Sequence, residues 1–172
     1  MALVYLGLGS NLGDRVGYVQ QATSLLSGDD NIKLVRTSSF YETEPWHFKT
    51  DNWFVNAIVA ISTTYTPLEL LQVCLRIENQ LGRDRKNESG YNDRTIDIDI
   101  IFYDNQIINE VDEQGRELTI PHPRMHERAF MLVPMLEVAP TLVHPVLNKT
   151  ITDIYEELDD PESVYLYGTR II

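Results

Sequence analysis

The feature that most constrains this fold is the stretch from residue 95 to residue 103, where two aspartates alternate with isoleucines. Successive side chains of a β-strand point to opposite faces, so Asp97 and Asp99 share one face, about 6–7 Å apart. The isoleucines at positions 96, 98 and 100 share the other face. The pattern predicts a strand with an apolar side that packs on a core and a side that carries two carboxylates.

Two carboxylates on one strand face repel each other, and aspartate is depleted in strands. A cation beside them removes this conflict. Mg²⁺ binds through one or two carboxylates, while phosphate and water oxygens complete its shell. The pair Asp97 and Asp99 therefore predicts a Mg²⁺ site. An exposed polar face with two solvated aspartates is the alternative that the pattern leaves open.

The hydrophobic periodicity predicts six elements up to residue 103, in the order β-α-β-β-α-β. They are strands at residues 4–8, 32–40, 53–63 and 95–103 and helices at residues 14–26 and 66–81. The second helix has the clearest start, because Thr66 and Glu69 form a capping box with Pro67 at the first helical position. This order is typical of the ferredoxin-like motif, an antiparallel sheet with both helices on one face. We therefore predict an α+β fold.

The second half of the chain is expected to be less regular. A loop is predicted at residues 43–52, a hairpin around Asn105, an extended piece at 118–120, and helices at 126–138 and 152–158. The acidic end is expected to be a weakly held surface tail. No glycine-, serine- or proline-rich linker interrupts the 172 residues. We expect one domain, residues 1–172, with residues 150–172 as an acidic C-terminal extension.

The charge balance excludes some classes of partner. The chain carries 14 lysines and arginines against 26 acidic residues, a net charge of −12. Such a chain repels nucleic acids and anionic membrane surfaces at long range. Cys74 is the only cysteine, and no basic region precedes the apolar start of the chain. We expect a cytoplasmic monomer that binds neither nucleic acid nor membrane.

The positive charges are concentrated beside the two aspartates. Eight of the 14 lie between residues 76 and 128, and Arg83, Arg85, Lys86 and Arg94 immediately precede the aspartate strand. The planar guanidinium group matches the geometry of phosphate oxygens. Arginines next to paired carboxylates therefore favour a site for a phosphate ligand and Mg²⁺. A solvated basic loop that offsets nearby acids is the alternative.

Familiar phosphate and zinc motifs are absent from the sequence. It has no G-x-x-x-x-G-K-[ST] segment, and no histidine has zinc-type spacing with another ligand. His122 lies between two prolines, which fix its direction, but a plain turn histidine fits equally. Asn56 is a polar residue in an apolar strand, and such an amide needs partners. Phe54 and Phe130 suit either a core or a stacking pair.

Six segments, taken together, carry a resemblance to a known family. They are residues 5–13, 41–45, 54–56, 78–85, 94–100 and 121–130. The segment RTIDIDI followed by PHPRMHERAF is the most specific part. Over residues 3–145 the chain resembles the 6-hydroxymethyl-7,8-dihydropterin pyrophosphokinase family. The resemblance implies a ferredoxin-like α+β fold and transfer of the β,γ-pyrophosphoryl unit of ATP to the pterin hydroxymethyl group, which leaves AMP.

The resemblance also implies roles for individual residues. Asp97 and Asp99 would hold two Mg²⁺ ions, and these residues with Arg83 and Arg94 would form the catalytic set. ATP would be bound by Glu78, Arg83, Lys86, Arg94, Ile98 and His122. The pterin would be bound by Thr43, Pro45, Trp46, Phe54, Asn56, Asp97 and Phe130. Arg85, Tyr91 and Arg128 would support the phosphate end.

The chain departs from the family pattern at two places. Tyr91, Asn92 and Asp93 stand where the family often has Trp-Gly-Pro, which is expected to change loop closure and to add a negative charge near the phosphates. Glu44 and Trp46 replace smaller or aliphatic residues. Two other functions remain open from the sequence: a ferredoxin-like module that binds Mg-ATP without reacting, and a metal-dependent hydrolase or nucleotidyltransferase.

Overall fold

A computed structural model describes residues 1–45, 50–83, 93–159 and 161–170. Its strands are β1 (Ala2–Ser10), β2 (Ile32–Thr37), β3 (Tyr41–Thr43), β4 (Phe54–Thr63), β5 (Asp97–Tyr103), β6 (Ile108–Val111), β7 (Glu117–Ile120) and β8 (Val164–Leu166). Its helices are α1 (Arg15–Ser27), α2 (Pro67–Gln80), α3 (Ala129–Val138) and α4 (Ile151–Glu156), with a short 3-10 helix at Met125–Glu127.

The main sheet is antiparallel and has β1 near its centre. Its order is β5-β1-β4-β3-β8, and β2 also pairs with β4. β1 pairs with a strand on each edge, and most of its side chains are buried in the cores on the two faces of the sheet. The order of β1, β2–β3, β4 and β5 in the sheet is that of the β-α-β-β-α-β motif, and the predicted ferredoxin-like α+β fold is confirmed.

Helices α1 and α2 cover one face of this sheet, as predicted. Asp14 caps α1 by accepting a hydrogen bond from the backbone N–H of Gly17. In α2 the predicted capping box is present, because Thr66 and Glu69 each bond the other's backbone N–H. The core under these helices includes the side chains of Ile96, Ile98 and Ile100. The apolar face of the aspartate strand is therefore the core face, and the carboxylates point to the other side.

The other face of the sheet is covered in part by α3 and α4. Tyr5, Ile58 and Ile101 of the sheet pack there against Met131 and Leu132 of α3. Residues 58 and 101 lie on the same strand faces as Asn56, Asp97 and Asp99, since side chains two residues apart share a face. This second layer places α3 beside the two aspartates.

The predicted strand at 32–40 ends early in the structure, and a short strand that was not predicted follows it. β2 ends at Thr37, and β3 begins at Tyr41 and ends at Thr43, so Thr43 belongs to a strand and not to the predicted loop. Between them, the Ser38 hydroxyl accepts a hydrogen bond from the backbone N–H of Ile58 at 2.8 Å. The Ser38 hydroxyl thus accepts from the Ile58 N–H, from which a backbone carbonyl would accept in a continuous strand. This exchange interrupts the strand.

The predicted helix at 126–138 is also divided. Met125–Glu127 form the 3-10 helix, Arg128 has an extended backbone (φ −117°, ψ 104°), and α3 begins at Ala129. An extended residue cannot continue a helical hydrogen-bond ladder, so the helix starts three residues later than the apolar pattern suggests.

The predicted helix at 152–158 is present as α4, which packs into the second core. The expectation of a weakly held acidic tail after it was wrong for residues 161–170, because β8 pairs with β3 at the edge of the main sheet. A strand of three residues is too short for an alternating pattern to reveal it, and its pairing uses backbone groups that every residue has. In the described ranges no helix combines the length and apolar character needed to cross a membrane.

Candidate functional site

A narrow pocket lies between the centre of the sheet and α3. It is lined by residues of β1, β4, β5 and α3: Gly7, Leu8, Gly9, Asn56, Ala57, Ile58, Asp97, Asp99, Phe130 and Met131. Four residues from separate parts of the predicted site therefore meet here: Asn56, Asp97, Asp99 and Phe130. The fold brings them together because β1 is the strand that lies between β4 and β5.

The floor of this pocket is formed by two glycines that sequence reasoning did not assign to the site. Gly9 is paired with Asp97 and Gly7 with Asp99 in the sheet. A Cβ on Gly9 would lie 2.5 Å from Oδ1 of Asn56 and 3.6 Å from Cδ1 of Phe54. Only glycine leaves room for both side chains. The signal was the alternation Gly-x-Gly, which has the same period as Asp-x-Asp.

Asp97 lies between two arginines. Arg83 Nη1 donates to Asp97 Oδ1 at 2.8 Å, and Arg94 Nη1 lies 3.3 Å from Asp97 Oδ2. The Arg83 residue is only 7% exposed. The Arg94 guanidinium also stands 5.7 Å from the centre of the Phe54 ring. The predicted catalytic residues Arg83, Arg94 and Asp97 are thus in direct contact.

Glu78 binds Arg83 from the core side of the sheet. Its side chain is buried on α2, where Oε2 accepts from Arg83 Nη1 at 3.2 Å and from the backbone N–H of Ile98 at 2.7 Å. The Ile98 side chain lies in the core under α1 and α2. Both residues therefore stand on the core side of Arg83. Their contact with ATP stays a prediction.

The electrostatics of Asp99 fit a cation site. Burial raises the pKa of Asp99 above its usual range, and the charge of Asp97 raises it further, whereas Arg128 and Arg83 act in the opposite direction. Two close carboxylates in a desolvated site are stabilised by a divalent cation. Within residues 1–45, 50–83, 93–159 and 161–170 no group of three or more histidines, cysteines or acids is arranged to hold a metal ion. Two carboxylates suit Mg²⁺ that takes its other ligands from phosphate and water.

The described residues of the predicted pterin set lie in this pocket or next to it. Asn56 is 8% exposed, and its Nδ2 donates to the hydroxyl of Thr43, itself buried on β3. Phe54 lies on the same face of β4 as Asn56, two residues away. Phe130 lies in the first turn of α3, and the Arg128 guanidinium stands 5.4 Å from its ring centre. Pro45 follows β3 closely in the chain.

His122 is a neutral imidazole in this fold. Its backbone N–H donates to Ile101 at 2.9 Å, and its Nδ1 accepts from the backbone N–H of Arg124 at 3.2 Å. Burial, followed by the positive charge of Arg128, lowers the pKa of His122 to about 4. The predicted ATP contact is therefore a polar, uncharged group at neutral pH.

The low pKa of His122 predicts that the free energy of unfolding decreases in mild acid. The folded pKa of about 4 lies below the unfolded value of 6.5. Between these values only the unfolded chain binds the proton, so stability falls as the pH falls. We expect the His122 contribution to make the protein about 1–2 kcal/mol less stable at pH 5 than at pH 7. Urea unfolding at both pH values measures it. The variant His122→Gln should show a smaller difference, and an equal difference would contradict the assignment.

Asn11 and Asp93 organise the loops beside the site. Asp93 was expected only as a negative charge near the phosphates, and Asn11 had no predicted role. The Asn11 side chain accepts from the backbone N–H of Arg94 at 2.7 Å and donates to Asp93 at 2.8 Å. Asp93 also accepts from Thr50 and Asn52. The Asp93 charge, which the sequence places near the phosphates, is therefore bound by three neutral donors. No short pattern reveals this network, because Asn11 and Asp93 are 82 residues apart.

Four predicted residues lie outside the described residues. They are Trp46 of the pterin set and Arg85, Lys86 and Tyr91 of the phosphate set. Their roles stay predictions.

Comparison with known proteins shows the family of this chain. The profile of the 7,8-dihydro-6-hydroxymethylpterin-pyrophosphokinase family matches residues 5–140. A 2-amino-4-hydroxy-6-hydroxymethyldihydropteridine pyrophosphokinase of Methylorubrum extorquens is 41% identical over 92% of this chain and 95% of its own length. The enzyme of that name from Haemophilus influenzae is 40% identical over 96% of this chain and 99% of its own length.

Longer proteins contain a similar region. The chain is 39% identical to part of the folic acid synthesis protein fol1 of Pneumocystis carinii, and it spans only 22% of that protein. Among solved structures, wild-type HPPK-DHPS of Plasmodium falciparum has a TM-score of 0.73 at 18% identity, covering 91% of this chain and 44% of that one. This second likeness supports the fold. The family profile and the bacterial relatives confirm the resemblance seen in the sequence: the chain belongs to the 7,8-dihydro-6-hydroxymethylpterin-pyrophosphokinase family.

Proposed function

We propose that this chain transfers pyrophosphate from ATP to 6-hydroxymethyl-7,8-dihydropterin and so forms AMP and the pterin diphosphate used in folate synthesis. The family membership supports the reaction, and the bacterial relatives are pyrophosphokinases of nearly the same length. The observation that carries the proposal is the position of the Asp97 carboxylate. Its carboxylate contacts two arginines on one side and lines the pocket of Asn56 and Phe130 on the other.

The pterin end of the pocket is built for a flat ring with polar edges. The amide of Asn56 and the hydroxyl of Thr43 would read the amine and amide edge of the pterin, with Pro45 and Trp46 beside them. Phe54 and Phe130 would stack on the two faces of the ring, since aromatic rings prefer offset parallel contacts. A buried polar edge of this kind selects a substrate that satisfies it.

The phosphate end works by positioning and charge neutralisation. Arg83 and Arg94 would bind the ATP phosphates. His122 would add a neutral hydrogen-bond donor, and Lys86 would add a charged one. Arg85, Tyr91 and Arg128 would support this end. Glu78 and Ile98 act from the core side by fixing Arg83 and the start of β5. Phosphoryl transfer gains most from such preorganised charge, because little covalent chemistry is left to the protein.

Asp97 and Asp99 fit two Mg²⁺ ions. When bound, the ions would neutralise phosphate charge and polarise the pterin hydroxyl. The two carboxylates would hold them on the sheet face between the ATP and pterin ends. Ile98 points away into the core between the two aspartates, so the carboxylates have a fixed spacing.

Product analysis tests the proposed reaction directly. The protein is incubated with ATP, 6-hydroxymethyl-7,8-dihydropterin and Mg²⁺, and the nucleotides and pterins are separated. We expect equal amounts of AMP and pterin diphosphate. ATP that is bound but intact would favour a nucleotide-binding module. ADP with phosphate, or a nucleotidyl adduct, would favour a hydrolase or a nucleotidyltransferase.

Replacement of Asn56 by alanine is expected to weaken pterin binding by about 1–3 kcal/mol, because the polar edge of the ring loses its partner in a buried site. Calorimetric titration with the pterin measures the change. The matched control is Ser62→Ala near the other end of the same strand, opposite Leu3 of β1, which should leave the affinity unchanged. Equal pterin affinity in Asn56→Ala and the parent would remove Asn56 from the site.

The wider predictions also stand as proposals. We propose that residues 1–172 act as one pyrophosphokinase domain, that the protein is a monomer, and that it works in the cytoplasm with ATP and the pterin as its partners. Its strong negative charge supports the absence of nucleic acid among these partners.

A further inference from the structure

The C-terminal segment, residues 161–170, lies beyond the family match at residues 5–140, yet it contacts the site. β8 in this segment pairs with β3, where Val164 is opposite Thr43. Ser163 exchanges two hydrogen bonds with Glu44: its N–H donates to the Glu44 carboxylate at 2.7 Å and its C=O accepts from the Glu44 N–H at 3.1 Å. The segment is therefore attached to the strand that carries Thr43.

Glu162 attaches the same segment to α3. The residue before this helix, Arg128, provides no side-chain cap. The Glu162 carboxylate accepts from the backbone N–H of Phe130 at 2.8 Å. A carboxylate at this position satisfies a first-turn N–H and interacts favourably with the helix dipole. α3 thus takes its N-terminal cap from a residue 32 positions later in the chain.

The far end of the segment contacts β3 and the residue that precedes β4. The Arg170 guanidinium lies 4.2 Å from the Trp53 ring centre and 3.7 Å from Glu42 Oε2. Tyr165 packs on the same tryptophan, with ring centres 6.2 Å apart. Trp53 directly precedes Phe54. The segment therefore has anchors on β3, on α3 and at the start of β4, three of the elements that carry a predicted pterin contact.

We propose that Glu162 is a positioning residue of the pterin site, which sets the place of the Phe130 ring relative to β3 and β4. The proposal rests on the proposed function, since it names Phe130 as a wall for the pterin. Its basis is that the Glu162 carboxylate bonds the Phe130 backbone, while the next residue, Ser163, bonds Glu44 directly after β3, and Val164 pairs with Thr43 of β3. A shift of Glu162 would change the width of the pocket beside Phe130. Arg83 and Arg94, in contrast, are held away from this segment, by Glu78, Asn11 and Asp97.

Steady-state kinetics with both substrates test this role. The variants are Glu162→Ala, which removes the acceptor, and Glu162→Gln, whose side-chain oxygen still accepts from Phe130. Glu156→Ala, an exposed glutamate of α4, is the control. We expect Glu162→Ala to raise the KM for the pterin about fivefold or more, the size of a lost helix cap, with the KM for ATP within about twofold of the parent. Glu162→Gln should restore the pterin KM to within about twofold.

Hydrogen exchange of the peptide that covers residues 129–131 gives a second, substrate-free measurement. Exchange should be faster in Glu162→Ala and unchanged in Glu156→Ala. An unchanged pterin KM in Glu162→Ala, or equal increases in the KM for both substrates, would overturn the positioning role while the proposed function stands. A parent protein that forms no AMP and no pterin diphosphate would instead overturn the proposed function and, with it, the role assigned to Glu162.

Discussion

Replacement of Asp97 by asparagine is expected to lower the rate of AMP formation at saturating substrates by at least about a thousandfold, since under the proposed function this carboxylate would hold Mg²⁺, and a bound metal contributes several kcal/mol of charge stabilisation in the transition state. Asparagine keeps the volume of the side chain and an oxygen for Arg83, whose Nη1 lies 2.8 Å from Oδ1. The variant therefore loses the charge and little of the packing. Separation of AMP from ATP over time gives the rate.

The control for this variant removes an aspartate charge elsewhere. Asp30 lies in the turn between α1 and β2, far along the chain from the site residues, and Asp30→Asn should keep the parental rate. Circular dichroism of both variants checks that the sheet is formed. A rate for Asp97→Asn within about tenfold of the parent would contradict a catalytic role, because less than about 1.4 kcal/mol would then depend on the charge. Asp97 would in that case be only a structural partner of the two arginines.

The fold of the first 103 residues could be predicted because its signals are local. The alternation in β5 and the capping box of α2 are both short patterns, and each specifies one element and the face that it buries. Because connections between elements are short and follow a fixed handedness, the order of six such elements is compatible with only a few sheet topologies. The break at Ser38 could not be predicted, since it depends on a hydrogen bond to Ile58 of another strand.

The C-terminal part was misjudged because its structure depends on distant partners. β8 has three residues and gains its place by pairing with β3. The start of α3 is set by the extended backbone of Arg128 and by a cap from Glu162. Acidic composition suggested a solvated tail, but a carboxylate at a helix N-terminus is a favourable contact that composition does not reveal.

The candidate site shows the same division. Asp97, Asp99 and Asn56 stand out in the sequence because each is a polar residue in an apolar strand. Their surroundings do not stand out. Gly9 is required by the space that Asn56 occupies on the neighbouring strand, and Asn11 reaches Arg94 across 83 residues. A sequence reveals residues that break a local pattern, such as an aspartate in an apolar strand. The residues that hold them, such as Gly9 and Asn11, break no local pattern, and only their place in the folded structure shows their role.

The largest stability effect is expected for Glu78, which supports the site from the core. Replacement of Glu78 by alanine should lower the free energy of unfolding by about 3–5 kcal/mol, because it leaves the charge of the buried Arg83 without this partner and removes the acceptor of the Ile98 N–H. Urea unfolding at pH 7 measures the loss. Gln80→Ala, an exposed change on the same helix, should alter stability by no more than about 0.5 kcal/mol.

A double-mutant cycle separates the Glu78–Arg83 pair from the rest of this loss. Glu78→Gln keeps an oxygen for Ile98 and removes the charge, and Arg83→Gln removes the other charge. Since the two side chains are in contact and both buried, the double variant should be more stable than the sum of the single losses predicts, by about 1–3 kcal/mol. Additive losses would contradict direct coupling. Glu78 would then stabilise the fold mainly through its bond to the backbone N–H of Ile98, and not through Arg83.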